Sequence, residues 1–369
     1  MMIFLKPVTE NSAKLVSSSK PARKLPDLMA GDVCSLARAE LESRIKACGE
    51  PAYRAGQVFD WIYKKLAFSW DEMSSLPKAL REKLALEIPF PVLTEKDVRV
   101  SEDGTRKFLF GLFDGQLIET VFIPTKKRAT LCISSQAGCK YGCRFCASGI
   151  GGFKRNLSTG EIIAQVLWAM KKCGDEGEVT HIVFMGVGEP FDNYDNVMQA
   201  VRLLNAPEAF QIAARRITIS TCGIVDGIRR MAGEGLQIEL SVSLHASNDA
   251  QRQELMPVNR KYPLADLMAA CRAYAQKTNR QVTFEYILIK DVTCTDLAAR
   301  ELQHLLKGWL CKINLIAYNP VGEFSYQTPS RDEISRFKDT LEKKGLITTW
   351  RTPRGKDIAA ACGQLRNSL

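Results

Sequence analysis

The chain has 369 residues, 46 % of them apolar and 25 % charged, which allows a substantial core and excludes disorder throughout. Its net charge of +10 suits a polyanionic partner, or simply a basic soluble surface. No apolar run reaches the length of a membrane span, and twelve cysteines without a secretion signal read as reduced thiols rather than a disulfide framework.

Residues 1–27 are basic and poor in acids, and read as a disordered tail, with a transit peptide as the alternative. Residues 28–95 read as a small helical domain. LARAELESRIKACG places Leu41, Ile45 and Cys48 on one face and stops at Gly49. GQVFDWIYKKLA repeats the pattern with Val58, Ile62 and Leu66, and SLPKALREKLAL offers Ser75 as a cap and Leu76, Leu80 and Leu84 as a stripe. The basic, aromatic surface of Tyr53, Arg54, Trp61, Lys64 and Lys65 is a candidate RNA contact, although Trp61 suits the core better. Residues 96–128 form a β-rich connector, in which RKFLFGLFDGQLIETVFIP alternates around an Asp-Gly turn. Six strands follow at 129–135, 179–185, 216–221, 238–244, 282–289 and 313–318, and helical runs such as STGEIIAQVLWAMKKCG lie between them. This alternation predicts an α/β fold with a parallel sheet. Near-continuous apolar strands point to a partial (β/α)6 barrel over 129–345 with a small N-terminal helical domain; a doubly wound open sheet is the alternative. Residues 346–369 form a C-terminal segment.

In such barrels the active residues sit where strands end. Those ends carry the loop GCKYGCRFCASG, then MGVGEP, STCG, SLHAS and the pair Asn319-Pro320. The first loop holds Cys139, Cys143 and Cys146 in a C-x3-C-x2-C spacing. Three thiolates leave one iron of a [4Fe–4S] cluster open, as a catalytic metal requires. A structural zinc site would want a fourth ligand, and the sequence has no second C-x2-C pair. A chance grouping of core cysteines is the third reading. The spacing, with Phe145 before the last cysteine, resembles the radical S-adenosylmethionine (SAM) superfamily. In MGVGEP, Gly186 and Gly188 allow close backbone approach to a ligand, and Glu189 offers a carboxylate.

Together, RATLCISSQAGC, RNLSTGEIIAQV, MGVGEP, SLHA, CKINLIAYNP, RGKDIAAACGQL and GEPAYRAGQVFDWIYKK resemble the RlmN/Cfr family of radical-SAM RNA adenine methyltransferases over residues 35–366. The resemblance implies that Cys139, Cys143 and Cys146 hold one [4Fe–4S] cluster. It implies that Gly188, Glu189, Ser220, Ser243, Leu244, His245 and Asn319 bind SAM, two molecules of which are used per turnover. It further implies that Cys362 becomes the S-methylcysteine intermediate, Glu119 is the proton acceptor, and Cys132 closes a transient disulfide with Cys362. The implied substrates are a 23S rRNA adenosine of the peptidyl transferase centre and adenosine 37 of some tRNAs, with a donor such as flavodoxin or ferredoxin, in a cytoplasmic monomer. C2 and C8 methylation, the two branches of the family, stay open. A methylthiotransferase would want a second cysteine triplet, which the sequence lacks. An RNA-binding protein with a structural metal loop would leave Cys132 and Cys362 replaceable.

Overall fold

The computed structural model describes residues 31–126 and 128–366; the basic tail read over 1–27 lies outside the described residues. Strands β1 (Leu93–Val100), β2 (Arg106–Leu112) and β3 (Leu117–Pro124) pair antiparallel, and β3 pairs antiparallel with β4 (Ala129–Cys132). β5 (Gln136–Ala137) and β6 (Arg155–Asn156) form a short separate ladder around the three-cysteine loop. The main sheet continues from β4 through β7 (Val179–Phe184), β8 (Ile217–Thr221), β9 (Glu239–Ser243), β10 (Val282–Leu288), β11 (Cys311–Ala317) and β12 (Ile347–Arg351), each parallel to its neighbour.

The expected α/β class and parallel sheet are present, with two additions. ITTWR at β12 adds a seventh parallel strand, paired only with β11; a five-residue run at an edge gives little periodicity to read. β1 begins at Leu93, within the stretch assigned to helices, and β1–β3 continue the main sheet instead of standing apart as a connector. β1 is rich in charge because it is the other edge, where charged side chains blunt further pairing.

Helix Thr159–Cys173 starts from a reciprocal cap: the Glu161 N–H donates to Ser158 Oγ at 3.1 Å, and the Ser158 N–H donates to Glu161 Oε2 at 2.9 Å. It is buried on most of its surface because it lies between the sheet and the N-terminal helical region. That region contains helices Arg38–Ala47, Tyr53–Phe59 and Lys78–Glu87. Leu41, Ile45, Val58, Ile62, Leu80 and Leu84 are all buried there, in the same core as the sheet. Gly49 takes φ +80°, as a helix-stopping glycine should. Ser75 does not cap; Pro77 precedes the third helix, and Ser75 Oγ accepts the Trp61 indole N–H at 2.8 Å. Trp61 is half-buried at the surface rather than in the core, with Lys65 Nζ 3.7 Å above its ring. Among the described residues no helix is long and apolar enough to cross a membrane.

Candidate active site

The C-terminal ends of β7 to β11 meet one cavity, touching it through Phe184, Ser220, Ser243, Glu285, Ile287 and Ile316. Five flat strands would span about 19 Å from first to last. Their common contact with one ligand-sized space requires a curled sheet, the partial barrel that the sequence predicted.

Cys139, Cys143 and Cys146 line this cavity. The loop that carries them is fixed by backbone geometry. Gly138 takes φ +77°, and a Cβ there would lie 1.9 Å from the Gly152 carbonyl oxygen, so only glycine fits. The Arg144 N–H donates to the Leu255 carbonyl at 2.9 Å, and the Phe145 ring stands edge-on to His245 at 4.8 Å. Burial is the main cause that raises all three thiols, pushing Cys139 up to about 12; the charges of Cys139 and Cys146 also act on Cys143. A bound metal reverses this, because a coordinating thiol is deprotonated outright.

MGVGEP closes over the same loop. A Cβ on Gly186 would meet the Ile133 carbonyl oxygen at 2.6 Å, and Gly188 takes φ +107°. Glu189 is buried, accepting the Phe191 N–H at 3.0 Å and the Cys222 N–H at 2.6 Å. Burial raises its pKa, and those backbone donors oppose the rise. Cys222, the extra thiol of STCG, lines the cavity beside it.

His245 carries a left-handed backbone, φ +55°, which a bulky residue adopts only where its surroundings impose it. Its Nδ1 accepts the Ile287 N–H at 3.0 Å, which leaves any ring proton on Nε2. Burial, then the Arg252 charge, lowers its pKa to about 3, so the ring is neutral. Arg252, fully buried, donates to the carbonyls of Cys222 at 2.7 Å, Ser243 at 3.2 Å and Leu244 at 3.2 Å. It thereby ties the loops after β8 and β9 together. Leu244 does not face the cavity; its side chain lies in the core.

The C-terminal segment reaches the cavity beside the three-cysteine loop. Cys362 lines it with the three loop cysteines. The bonds that pin the segment around the thiol include Ala147 N–H to the Gly363 carbonyl at 2.7 Å, Ser148 Oγ to the Leu365 carbonyl at 2.8 Å, and Asn319 Nδ2 to the Cys362 carbonyl at 3.1 Å. Asn319, expected beside SAM, holds the tail through this bond. Cys132 sits in a small apolar cluster with Val121, Val187, Ala360 and Leu365. Burial, and then the nearby charge of Cys362, pushes its thiol up to about 12. Glu119 lies outside the cavity, under the tail and buried; Ser134 Oγ donates to its carbonyl at 2.6 Å. Its carboxylate pairs with Lys107 Nζ at 3.0 Å and accepts the Arg366 N–H at 2.7 Å.

Residues 133–299 match the Radical SAM superfamily, and residues 32–88 match the ribosomal RNA large subunit methyltransferase N-terminal domain. A Pelotomaculum thermopropionicum protein described as a probable dual-specificity RNA methyltransferase RlmN is 50 % identical over 341 residues, 92 % of each chain. This chain belongs to the RlmN family of radical-SAM RNA methyltransferases. A Bacillus thuringiensis family member with the same description is 46 % identical over 336 residues, covering 90 % of this chain and 92 % of its own. A crystallised radical SAM methyltransferase from Sphaerobacter thermophilus superposes with a TM-score of 0.90 at 48 % identity, over 92 % of this chain and all of its own.

The family implies a [4Fe–4S] cluster and SAM, and the residues present fit both. Three thiols line one cavity together with glycine backbone and a buried carboxylate. The structure brings Cys139, Cys143, Cys146, Gly188, Glu189, Ser220, Ser243, His245 and Cys362 to that cavity, with Cys132 beside Cys362, and places Glu119 and Asn319 on the tail side. Sequence reasoning missed Arg252, Lys107 and Arg351. Arg351 ends β12, and the charges of Cys362, Glu285 and Cys132 all act to raise its pKa. The one signal in the sequence was a lysine inside the apolar run RKFLFGL; the two arginines sit in ordinary polar contexts.

Proposed function

We propose that this enzyme methylates C2 of an adenosine in the peptidyl transferase centre of 23S rRNA, and adenosine 37 of some tRNAs. The observation that carries this reading is Cys362, a thiol whose tail segment is hydrogen-bonded at the cavity of the three-cysteine loop and beside Cys132. C2 of adenine is not nucleophilic, so simple transfer of a methyl cation fails there, and a carrier thiol answers that need. C8 methylation is the second reading.

Cys139, Cys143 and Cys146 would hold the cluster, and Glu189, Gly188, Ser220, Ser243, the main chain at Leu244, and His245 would surround SAM, with Asn319 at the border. The cluster and SAM supply a 5′-deoxyadenosyl radical when bound. Two SAM molecules serve each turnover, because one provides the methyl group and the other the radical. The Cys362 thiolate first accepts the methyl group. Its S-methyl then loses a hydrogen atom, and the resulting carbon radical bonds to adenine C2; the one unpaired electron that this addition leaves on the base would pass to the cluster held by the three cysteines. Glu119 takes the C2 proton. Cys132 finally attacks the Cys362 sulfur, which forms a disulfide and frees the methylated base. Flavodoxin or ferredoxin serves as electron donor. The helical region, with Tyr53, Arg54, Trp61, Lys64 and Lys65, holds the RNA while the target base is unstacked. The setting is cytoplasmic and the enzyme a monomer.

The test is a Cys132→Ala variant purified after expression. It should carry RNA cross-linked through Cys362, and the tail peptide of the unaltered enzyme should carry one methyl group on Cys362. RNA-free variant protein with normal iron content would overturn the assigned roles.

A further inference from the structure

Lys107 and Glu119 form a buried ion pair across the neighbouring strands β2 and β3, where Leu109 opposes Glu119 and Lys107 opposes Val121. The side chains are 8 % and 2 % exposed. The ammonium touches Glu119 Oε1 at 3.0 Å and also donates to the Ala359 carbonyl at 3.1 Å. Oε2 accepts the Arg366 N–H at 2.7 Å. Ala359 precedes Cys362 by three residues and Arg366 follows it by four, so one carboxylate–ammonium pair clamps both flanks of the thiol's segment. The two tail contacts must yield if a base is to reach Glu119. The Lys107–Glu119 contact need not, because both residues stand on paired strands of one sheet.

Resting on the reading of Glu119 as the proton acceptor, we propose that Lys107 is the positioning residue for that step: its ammonium holds Glu119 Oε1, leaves Oε2 as the oxygen that faces the adduct, and sets the carboxylate's place relative to Cys362. Once the adduct has given up its unpaired electron, for which the cluster would be the one-electron acceptor, the proton passes from the adduct carbon to Oε2 as H⁺, and its bonding pair stays on the base. Lys107 balances the buried negative charge and touches no reacting atom.

The experiment compares Lys107→Met, Lys107→Arg and the double variant Lys107→Met/Glu119→Gln, as full-length chains reconstituted with iron and sulfide. For Lys107→Met the expected result is retained methyl on Cys362, a kcat about 100-fold lower with KM for RNA changed less than about 3-fold, and RNA–protein adduct that accumulates. Lys107→Arg should recover most of the rate. The double variant should be no slower than Glu119→Gln alone, as expected of residues acting as one unit. Wild-type turnover by Lys107→Met, or loss of iron and Cys362 methylation together with the rate, would overturn the proposal. So would a double variant slower than Glu119→Gln alone. If Lys107→Met does not fold, the Lys107→Arg rate and adduct level decide alone: an adduct-free loss of rate counts against. Unmethylated Cys362 in the unaltered, iron-loaded enzyme sinks the carrier reading itself, which that control separates from failure of Lys107 alone.

Discussion

The two walls of the cavity are built by different means. The wall at the ends of β7 to β10 is made of backbone: glycines no side chain can replace, a left-handed histidine, and carbonyls tied by one buried arginine. The tail side, where β2, β3 and the C-terminal segment meet next to the cavity, is made of side chains: an ion pair, two thiols and an asparagine that grips the chain. A wall meant to cradle a cofactor gains from rigidity that side-chain motion cannot loosen. A wall that moves protons and a methyl group needs titratable and nucleophilic atoms, and hydrogen bonds that can be remade.

Removing a cluster ligand from the three-cysteine loop, which completes the first wall, should break the comparison hardest. Cys143→Ala is expected to lose nearly all bound iron, where the unaltered chain holds about four iron and four sulfide, and to show no methylation. Iron-replete Cys143→Ala would show that this wall does not hold the cluster. On the second wall, Glu119→Gln should keep iron, SAM cleavage and methylated Cys362 while product release falls about 10²–10⁴-fold; single-turnover quenching that shows free product at the normal rate would remove Glu119 from proton transfer.

A pH series sharpens the same division. The Cys132 thiol, held up at about 12 mainly by burial, is neutral around pH 7, and its thiolate fraction rises with pH. Release of adduct should therefore speed up by close to tenfold per unit between about pH 7 and 9, with no matching change in iron content. A flat profile means another step limits release. The smallest effect concerns the border residue. Asn319→Ala removes one hydrogen bond to the tail, a net effect of about 0.5–1.5 kcal/mol, or roughly 2–10-fold. It should slow methylation of Cys362 by that factor and leave SAM affinity within about 3-fold. The reverse pattern, measured by equilibrium binding, would move Asn319 to the cofactor wall.

The two walls also differed in how well the sequence showed them. Strand ends, glycines and cysteine spacing are local, so the loops at Cys139 and Glu189 and the reciprocal cap at Ser158 were readable from neighbouring residues. The burial of the Leu244 side chain and the half-exposure of Trp61 were not readable, for the opposite reason. Whether a residue at a strand end or on a helix faces ligand, core or solvent depends on what packs against it, and that information is spread over distant segments. The edge strands β1 and β12 were missed because each has a partner on one side only and reads as charged or as too short.

The sequence by itself determined the α/β alternation, the helical N-terminal region, the three-thiol loop and the likeness that pointed to a carrier cysteine, because each is written in the spacing of residues a few positions apart or in whole motifs. Only the tertiary structure decided that β2 and β3 extend the parallel sheet, that Lys107 meets Glu119, and that a tail 230 residues beyond Cys132 returns to lie beside it. Those pairings join segments far apart along the chain. They form because burying the sheet's edge and its charges leaves each carboxylate, ammonium and carbonyl in need of a partner, and the chain supplies those partners from wherever the fold brings them.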